Sequence, residues 1–247
     1  MQKLKHTLVT FKLCPYSMRV LALMCHKNIK FEIKFIEMHC KPEWFVKISP
    51  LSKVPILIIG DDIVLFESDA IMEYIDEITL PQIMSSDPIQ KALDRGKFEY
   101  ASELMKNMSI FFFSFDEERF FKYKELVKQN IAQVERWLED KKYMNGDQIS
   151  LIDFCFIPIF VNLNAFKPII QQCELTKNFT KVSNSNIQQF NKYGETILQL
   201  PCSKAGKVPD YELLIVEGVE KVNSYLYRLN PCFFKSLKDI HIRQPPK

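Results

Sequence analysis

The chain has 247 residues, which is the length of one or two domains. Apolar residues make up 47% of the chain and charged residues 26%, a balance that excludes a disordered protein, a collagen-like fibre and a disulfide-dense miniprotein. The 33 Lys and Arg residues against 30 Asp and Glu residues give a net charge of +3, too small to predict nucleic-acid binding.

The first 80 residues predict a small α/β domain built on a mixed sheet. Strand-like and helix-like patterns alternate in the order β-α-β-α-β-β-α. The turn sequence Gly60-Asp61-Asp62 separates two short apolar runs, so the last two strands should be antiparallel. Ser68 is expected to be the N-cap residue of the helix that follows. The predicted elements span residues 6–12, 15–27, 30–37, 42–48, 55–59, 63–66 and 68–78.

The rest of the chain has the pattern of an all-helical domain. Residues 79–88 are rich in Pro and Ser, which is typical of a linker. We therefore expect a first domain over residues 1–80, a linker over 81–87 and a helical domain over 88–247. The predicted helices span residues 89–114, 118–140, 151–166, about 186–199 and 211–229, with a loop over 177–186.

No segment indicates export or insertion into a membrane. Residues 1–13 lack an apolar run followed by a small-residue cleavage site. The longest apolar stretch, residues 149–166, is interrupted by Asp153 and Pro158. The seven cysteines and four histidines match no disulfide framework and no metal-ligand spacing. We therefore expect free thiols in a reducing cytoplasm, no metal and no stable membrane insertion.

Cys14 lies where the first strand meets the first helix, in the sequence Cys14-Pro15-Tyr16-Ser17. Unpaired N–H groups and the helix dipole should stabilise a thiolate there and lower the pKa of the thiol. Ser17 stands where a dithiol oxidoreductase has its second Cys, so a mixed disulfide with an outside thiol is the expected product. The alternative is a buried structural Cys that precedes a Pro.

Two further features lie at the ends of predicted strands. A cis peptide bond between Val54 and Pro55 would leave the Val54 backbone free to pair with an extended, peptide-like ligand. Glu67 could receive an ammonium group, and Ser68 with the N–H groups behind it suits a carboxylate. The alternatives are a Pro at a strand start and an ordinary helix cap.

Taken together, these features resemble the cytosolic glutathione transferases of the cysteine type, and the omega class most closely. The matching stretches are CPYS at residues 14–17, KPEWF at 41–45, ESDAIMEYIDE at 67–77 and GDQISLID at 146–153. The resemblance covers residues 6–170. It implies a thioredoxin-like first domain that binds glutathione, a helical second domain, and a pocket between them for a small electrophilic or disulfide substrate. It also implies a homodimer.

The resemblance assigns a role to each matching residue. Cys14 would be the nucleophile of a thiol transferase or reductase that forms a mixed disulfide with glutathione. Val54, with Pro55, would pair with the cysteinyl part of glutathione, and Lys41 would meet its glycine carboxylate. Glu67 and Ser68 would hold the γ-glutamyl end. The second pocket would be lined by Tyr16, Phe111 and Phe112, although core packing is the alternative for the two phenylalanines.

Two other functions stay open at this point. The chain could be a non-catalytic subunit or scaffold of a larger assembly, since residues 191–207 and 230–247 match no known motif. It could also be one of the intracellular chloride channel relatives of the omega class, which the sequence Cys14-Pro15-Tyr16-Ser17 also resembles. Those relatives usually lack the Glu67-Ser68 pair.

Overall fold

The computed structural model describes residues 5–172 and 187–243. The first part is a four-stranded sheet with helices packed against it. Its elements are β1 His6–Thr10, α1 Pro15–His26, β2 Glu32–Phe35, α2 Glu43–Ile48, β3 Ile56–Ile59, β4 Ile63–Phe66 and α3 Ser68–Glu77. The strand order is β2-β1-β3-β4, with β1 and β2 parallel and the other two pairs antiparallel. The predicted mixed sheet and its antiparallel hairpin are confirmed.

Strand β2 lies within the run of alternating polar and apolar residues at 30–37 and is exposed along its whole length. Its apolar side chains are exposed too, Ile33 at 38% and Phe35 at 46%. The reason is topological, because β2 is an edge strand and pairs with β1 alone. The alternation therefore identified a strand without showing how deeply it is buried.

The second part of the chain is all helical. Its elements are α4 Pro88–Phe113, α5 Glu117–Leu138, α6 Leu151–Gln172, α7 Gln188–Gln199, a 3₁₀ turn Pro201–Lys204, α8 Tyr211–Lys221, α9 Tyr225–Leu229 and α10 Pro231–Arg243. Together with the first part, this confirms the predicted fold class, a thioredoxin-like domain followed by a helical domain. The loop predicted over residues 177–186 lies outside the described residues.

Two helix predictions in this part were wrong. The helix predicted over 151–166 continues to Gln172, passing through Pro158 and Pro168. The helix predicted over 211–229 is two helices, because Asn223 adopts a left-handed conformation with φ of 48° and ends the first of them. Ser224 then caps α9 by accepting a hydrogen bond from the Tyr227 N–H at 3.2 Å.

Helix α6 is held at its start by a buried carboxylate. Asp153 accepts hydrogen bonds from Ser150 N and Ser150 Oγ at 2.7 and 2.8 Å, from Met144 N at 2.8 Å and from the Tyr193 hydroxyl at 2.7 Å. Burial nevertheless raises the pKa of Asp153, and these donors act in the opposite direction. Ser150 and Asp153 thus form only half of a reciprocal capping box, because the Asp153 N–H donates to the Ser150 carbonyl oxygen at 3.1 Å and not to the Ser150 hydroxyl.

The same helix contains a stretch, Leu151–Ile170, that is long and apolar enough to cross a membrane, with a mean hydropathy of 1.3. In the folded chain 72% of that stretch is buried. It packs against α1, α4 and α7 as the central helix of the protein. This pattern is typical of the core helix of a globular domain.

Candidate active site

Cys14 is the N-cap residue of α1, with Pro15 at the first helical position, as predicted. Its backbone is extended, with φ of −75° and ψ of 112°. The sulfur is partly buried and lies 3.9 Å from the Val54 carbonyl oxygen, to which the thiol donates weakly. The structure therefore brings Cys14 and Val54 together from positions 40 residues apart in the chain.

The sequence predicts a lowered pKa for the Cys14 thiol, and the structure contradicts this prediction. Burial is the largest influence and raises the pKa of the thiol above its ordinary value. The Ser17 side chain, the backbone N–H groups of Ser17 and Tyr16, and the charge of Arg19 all act to lower it. The helix start does favour the thiolate, as the sequence suggested, but the loss of hydration outweighs it in this resting state.

The segment before β3 lies beside Cys14. The Val54–Pro55 peptide bond is cis, and Val54 precedes the first ladder residue, Ile56. The Val54 N–H makes no hydrogen bond within the described part of the chain. Lys41 is exposed, and its Nζ donates to the carbonyl oxygen of Ser52 at 2.8 Å, which places its charge at the same segment.

Glu67 and Ser68 take different positions from those expected. Helix α3 begins at Ser68, so Glu67 is the N-cap residue and has φ of 63°, a conformation that is uncommon outside glycine. Glu67 is exposed, whereas Ser68 is 4% exposed. The Ser68 oxygen accepts from Arg19 Nε at 3.1 Å and Arg19 Nη2 at 2.5 Å. Because the Ser68 oxygen already accepts two hydrogen bonds, its O–H proton is what the side chain can offer to a ligand.

Arg19 was missed by the sequence analysis. Its side chain is 2% exposed and joins three helices, since it contacts Ser68 and Asp69 on α3, Ser102 on α4 and Cys155 on α6. Arg19 Nη2 lies 2.7 Å from Asp69 Oδ1 as an ion pair that is not aligned as a hydrogen bond. The available signal was a lone Arg inside the apolar sequence of α1, because buried charges require partners.

An apolar cavity of about 70 Å³ lies next to the start of α1. Leu13 and Pro15 form one wall, and the other walls come from α4, α6 and α8. Phe112 lines the cavity, and its ring stacks on Phe166 at a centroid distance of 3.7 Å. Asn162 is one of its few polar lining residues.

The other two residues assigned to the second pocket are not among the cavity-lining residues. Phe111 is fully buried and packs against Phe112 and Phe120 with ring centroids 4.7 and 4.8 Å apart. The Tyr16 hydroxyl donates to the carbonyl oxygen of Ser102 at 3.4 Å, and its ring lies beside Arg19.

The chain beyond α7 makes two contacts near the site that the sequence did not suggest. Tyr211, at the start of α8, is fully buried and donates from its hydroxyl to Asn162 Oδ1 at 2.6 Å. Gly206 lies so close to α1 that an added Cβ would be 2.8 Å from the Cα of Met18. A glycine is therefore needed where this segment crosses the helix that begins at Cys14.

Comparison with known proteins identifies relatives for both halves of the chain. The family model described as "Glutathione S-transferase, N-terminal domain" matches residues 13–78, and that for the C-terminal domain matches residues 89–189. Glutathione S-transferase omega-1 of Sus scrofa is 29% identical over 162 residues, which cover 64% of this chain and 67% of that protein. The probable glutathione S-transferase DHAR1, cytosolic, of Oryza sativa subsp. japonica is 29% identical over 213 residues, covering 85% and 91%.

Solved structures give the same result for the fold. The crystal structure of glutathione transferase Omega 1C from Trametes versicolor superposes with a TM-score of 0.71 at 20% identity, covering 90% of this chain and 99% of that one. A transferase from Methylobacillus flagellatus, solved with bound glutathione, superposes with a TM-score of 0.68 at 18% identity, covering 82% and 98%.

Proposed function

Since the chain belongs to the glutathione S-transferase family, with omega-class enzymes among its relatives, we propose that it is a glutathione-dependent thiol transferase whose nucleophile is Cys14. The observation that carries the proposal is the thiol at the start of α1, which lies beside the Val54 backbone and has no second Cys at position 17. A single thiol in this position favours exchange with an outside disulfide.

The proposed reaction proceeds in two exchanges. The Cys14 thiolate attacks the glutathione sulfur of a mixed disulfide, which forms a Cys14–glutathione disulfide and releases the second thiol as its thiolate, which then takes up a proton. The thiolate of a second glutathione attacks the glutathione sulfur of this intermediate. Oxidised glutathione leaves and the Cys14 thiolate is regenerated. In sum, one mixed disulfide is reduced to a free thiol and one glutathione is oxidised into a disulfide.

We propose that glutathione binds along the segment from Val54 to Ser68. The Val54 N–H, and its carbonyl oxygen in place of the weak contact with Cys14, would pair with the cysteinyl residue in the manner of an added strand, which would place the sulfur near Cys14. The Ser68 hydroxyl and the first N–H groups of α3 would hold the γ-glutamyl carboxylate, and exposed Glu67 would receive its ammonium group. Lys41 would meet the glycine carboxylate.

Replacing Lys41 with alanine should weaken glutathione binding about fivefold, because one exposed ion pair contributes up to about 1 kcal/mol. The effect should shrink as salt is added, since exposed charges are screened. Titration calorimetry with glutathione at two salt concentrations measures both changes. Lys47→Ala, which removes an exposed Lys from α2, is the matched control and should bind as the wild type does. Equal glutathione affinity in the two variants would contradict the proposed contact between Lys41 and glutathione.

The cavity indicates the class of the second substrate. Its walls are mainly Leu, Met, Ile and Phe side chains, so it favours an apolar or aromatic thiol linked to glutathione. Phe112 and Asn162 would contact that group. An electrophile of similar shape is the second class that this lining would accept.

We also propose that the enzyme is a cytoplasmic homodimer. The six cysteines in the described ranges are free thiols, as expected in a reducing compartment. Ile89 and Leu93, which are exposed and lie four residues apart on one face of α4, offer an apolar surface for a second copy. Sedimentation velocity tests the dimer, and fractionation of the source cells tests the compartment. A monomer at micromolar concentration would contradict the proposed homodimer.

Mass spectrometry of the intact protein tests the proposed nucleophile. After exposure to oxidised glutathione the wild type should gain one glutathione, and peptide mapping should place it on Cys14. Three other thiols, Cys25, Cys40 and Cys232, are exposed and serve as internal controls for unselective oxidation. No adduct on Cys14, together with no turnover of a mixed disulfide, would favour the non-catalytic scaffold instead.

A further inference from the structure

Two thiols outside the proposed active site lie on elements that pack against each other. Cys25 is in the last turn of α1 and is exposed, whereas Cys202 is in the 3₁₀ turn Pro201–Lys204 and is 3% exposed. The backbones of α1 and this turn come within 8 Å of each other. A disulfide requires its two Cα atoms to lie roughly 4–7 Å apart, so a small backbone movement across this contact is enough to form one.

Gly206 anchors the segment that contains Cys202 against α1. An added Cβ at Gly206 would be 2.8 Å from the Cα of Met18. Met18 and Cys25 are two helical turns apart, about 10 Å, and share one face of α1. Cys202 precedes Gly206 by four residues, which span about 8 Å in 3₁₀ geometry. A segment that runs antiparallel to α1 from this anchor therefore places Cys202 beside Cys25.

The electrostatic coupling of the two thiols agrees with this arrangement. Burial and, to a smaller extent, a charge on Cys25 together raise the pKa of the Cys202 thiol to about 11. Since the effect of a charge falls with distance, the two thiols are neighbours in the fold. Cys202 stays protonated and unreactive near pH 7, and the exposed Cys25 is the thiol that an outside disulfide reaches first.

We propose that Cys25 and Cys202 form a redox-sensitive disulfide site that joins the two domains, with glutathione disulfide as the oxidant. The Cys25 thiolate attacks one sulfur of glutathione disulfide, which forms a mixed disulfide and releases a glutathione thiolate. Cys202 then loses its proton, and its thiolate attacks the Cys25 sulfur and expels the second glutathione thiolate. The two glutathione thiolates take up the protons that the two cysteines lose. In sum, two protein thiols are oxidised to one disulfide, and glutathione disulfide is reduced to two glutathione molecules.

The mixed disulfide on Cys25 prepares the second step. A sulfur bonded to glutathione carries no charge, so the like charge that opposes ionisation of Cys202 is removed once Cys25 has reacted. The first exchange therefore favours the second, and the glutathione on Cys25 should be short-lived.

The disulfide would fix one wall of the apolar cavity. The 3₁₀ turn leads into α8, which begins at Tyr211 and lines the cavity through Ile215. Oxidation would tie this segment to α1, the helix that begins after Cys14. Glutathione disulfide is also the product of the proposed reaction, so its accumulation would act on the cavity of the enzyme that makes it. Only this last consequence rests on the proposed function.

The test is disulfide mapping after exposure to glutathione disulfide. Remaining thiols are blocked with N-ethylmaleimide, and the unreduced peptides are analysed by mass spectrometry. The wild type should yield a linked pair of peptides that contain Cys25 and Cys202, with the loss of two hydrogens and no glutathione on either residue. This product differs in mass from the glutathione adduct expected on Cys14. A free or stably glutathione-bound Cys25, without the linked pair, would overturn the proposal.

Two variants separate the steps of the exchange. Cys202→Ala removes the second thiol, so glutathione should remain on Cys25. Cys25→Ser removes the thiol that reacts first, and Cys202 should then stay free. Cys232→Ala removes an exposed thiol of α10 and should form the linked pair as the wild type does. If Cys202→Ala fails to fold, the wild type and Cys25→Ser decide.

Thermal unfolding gives a second measurement. The disulfide should raise the unfolding temperature by about 5 °C, because a cross-link between distant positions restricts the unfolded chain. Cys25→Ser, treated with glutathione disulfide in the same way, should show no rise.

The mapping does not depend on turnover, and the linked pair should form in Cys14→Ala to the same extent as in the wild type. A wild type that forms the linked pair without turning over a mixed disulfide would contradict the thiol transferase and leave this site intact. Turnover without the linked pair would overturn this site alone.

Discussion

Replacing Cys14 with alanine should lower the turnover of a glutathione mixed disulfide by at least about 1,000-fold, because both of the proposed exchanges pass through this sulfur. The effect on stability should be small. Cys14 is partly exposed, and the contact of its sulfur with Val54 is long, at 3.9 Å. The measurement is a coupled assay of oxidised glutathione formation, with the unfolding temperature recorded on the same samples.

Two controls make this result specific. Cys232→Ala removes an exposed thiol of α10 and should turn over at the wild-type rate. Cys14→Ala should still bind glutathione in calorimetry, because Val54, Glu67 and Ser68 remain in place. Near-wild-type turnover in Cys14→Ala would mean that glutathione itself supplies the attacking thiolate, and the single-cysteine mechanism would be wrong.

The positions of the candidate residues followed from local sequence. A Cys before Pro at a strand-to-helix junction, a Val-Pro turn and a Glu-Ser helix start each depend on a few neighbouring residues. The sheet then brings these junctions to one end, because β3 is antiparallel to both β1 and β4, so its start lies beside the ends of those two strands. Cys14 and Val54 could therefore be placed together from the sequence and the fold it resembles.

What the sequence could not provide depends on contacts between distant elements. The sign of the Cys14 pKa shift is set by burial, which no local pattern shows. The apolar cavity is completed by Ile215 of α8, which lies beyond the residues 6–170 that the resemblance covers. No local sequence pattern could identify Arg19 as a site residue, because its partners lie on three other helices.

Arg19 connects the two domains and the proposed glutathione site. Its guanidinium group orients the Ser68 hydroxyl and pairs with Asp69, while it also bonds Ser102 on α4 at 3.1 Å. The planar fork of Arg allows one side chain to meet all three partners at once. The stability of the domain interface and the orientation of the proposed donor for the γ-glutamyl carboxylate therefore depend on the same residue.

Arg19→Met should lower the free energy of unfolding by about 3 kcal/mol, since it leaves the largely buried Asp69 without its counter-charge. For a chain of this size that corresponds to a fall of about 10 °C in unfolding temperature. Glutathione affinity should fall as well, because Ser68 loses its orientation. Arg19→Lys keeps the charge without the fork and should be intermediate in both measurements.

The pH dependence of this loss identifies Asp69 as its source. Burial raises the pKa of Asp69 even in the wild type, and Arg19 opposes that rise, so the pKa should increase further in Arg19→Met. A carboxyl group with a pKa above its unfolded value destabilises the folded state as the pH rises through that raised pKa. The stability difference between Arg19→Met and wild type should therefore be largest near pH 7 and shrink toward pH 4.

A second substitution checks the same assignment at constant pH. Adding Asp69→Asn to Arg19→Met removes the uncompensated charge and should recover part of the lost stability at pH 7. The double variant should also lose the pH dependence described above. If the single and double variants unfold at the same temperature at pH 7, the loss comes from the missing hydrogen bonds to Ser68 and Ser102, and the ion pair contributes little.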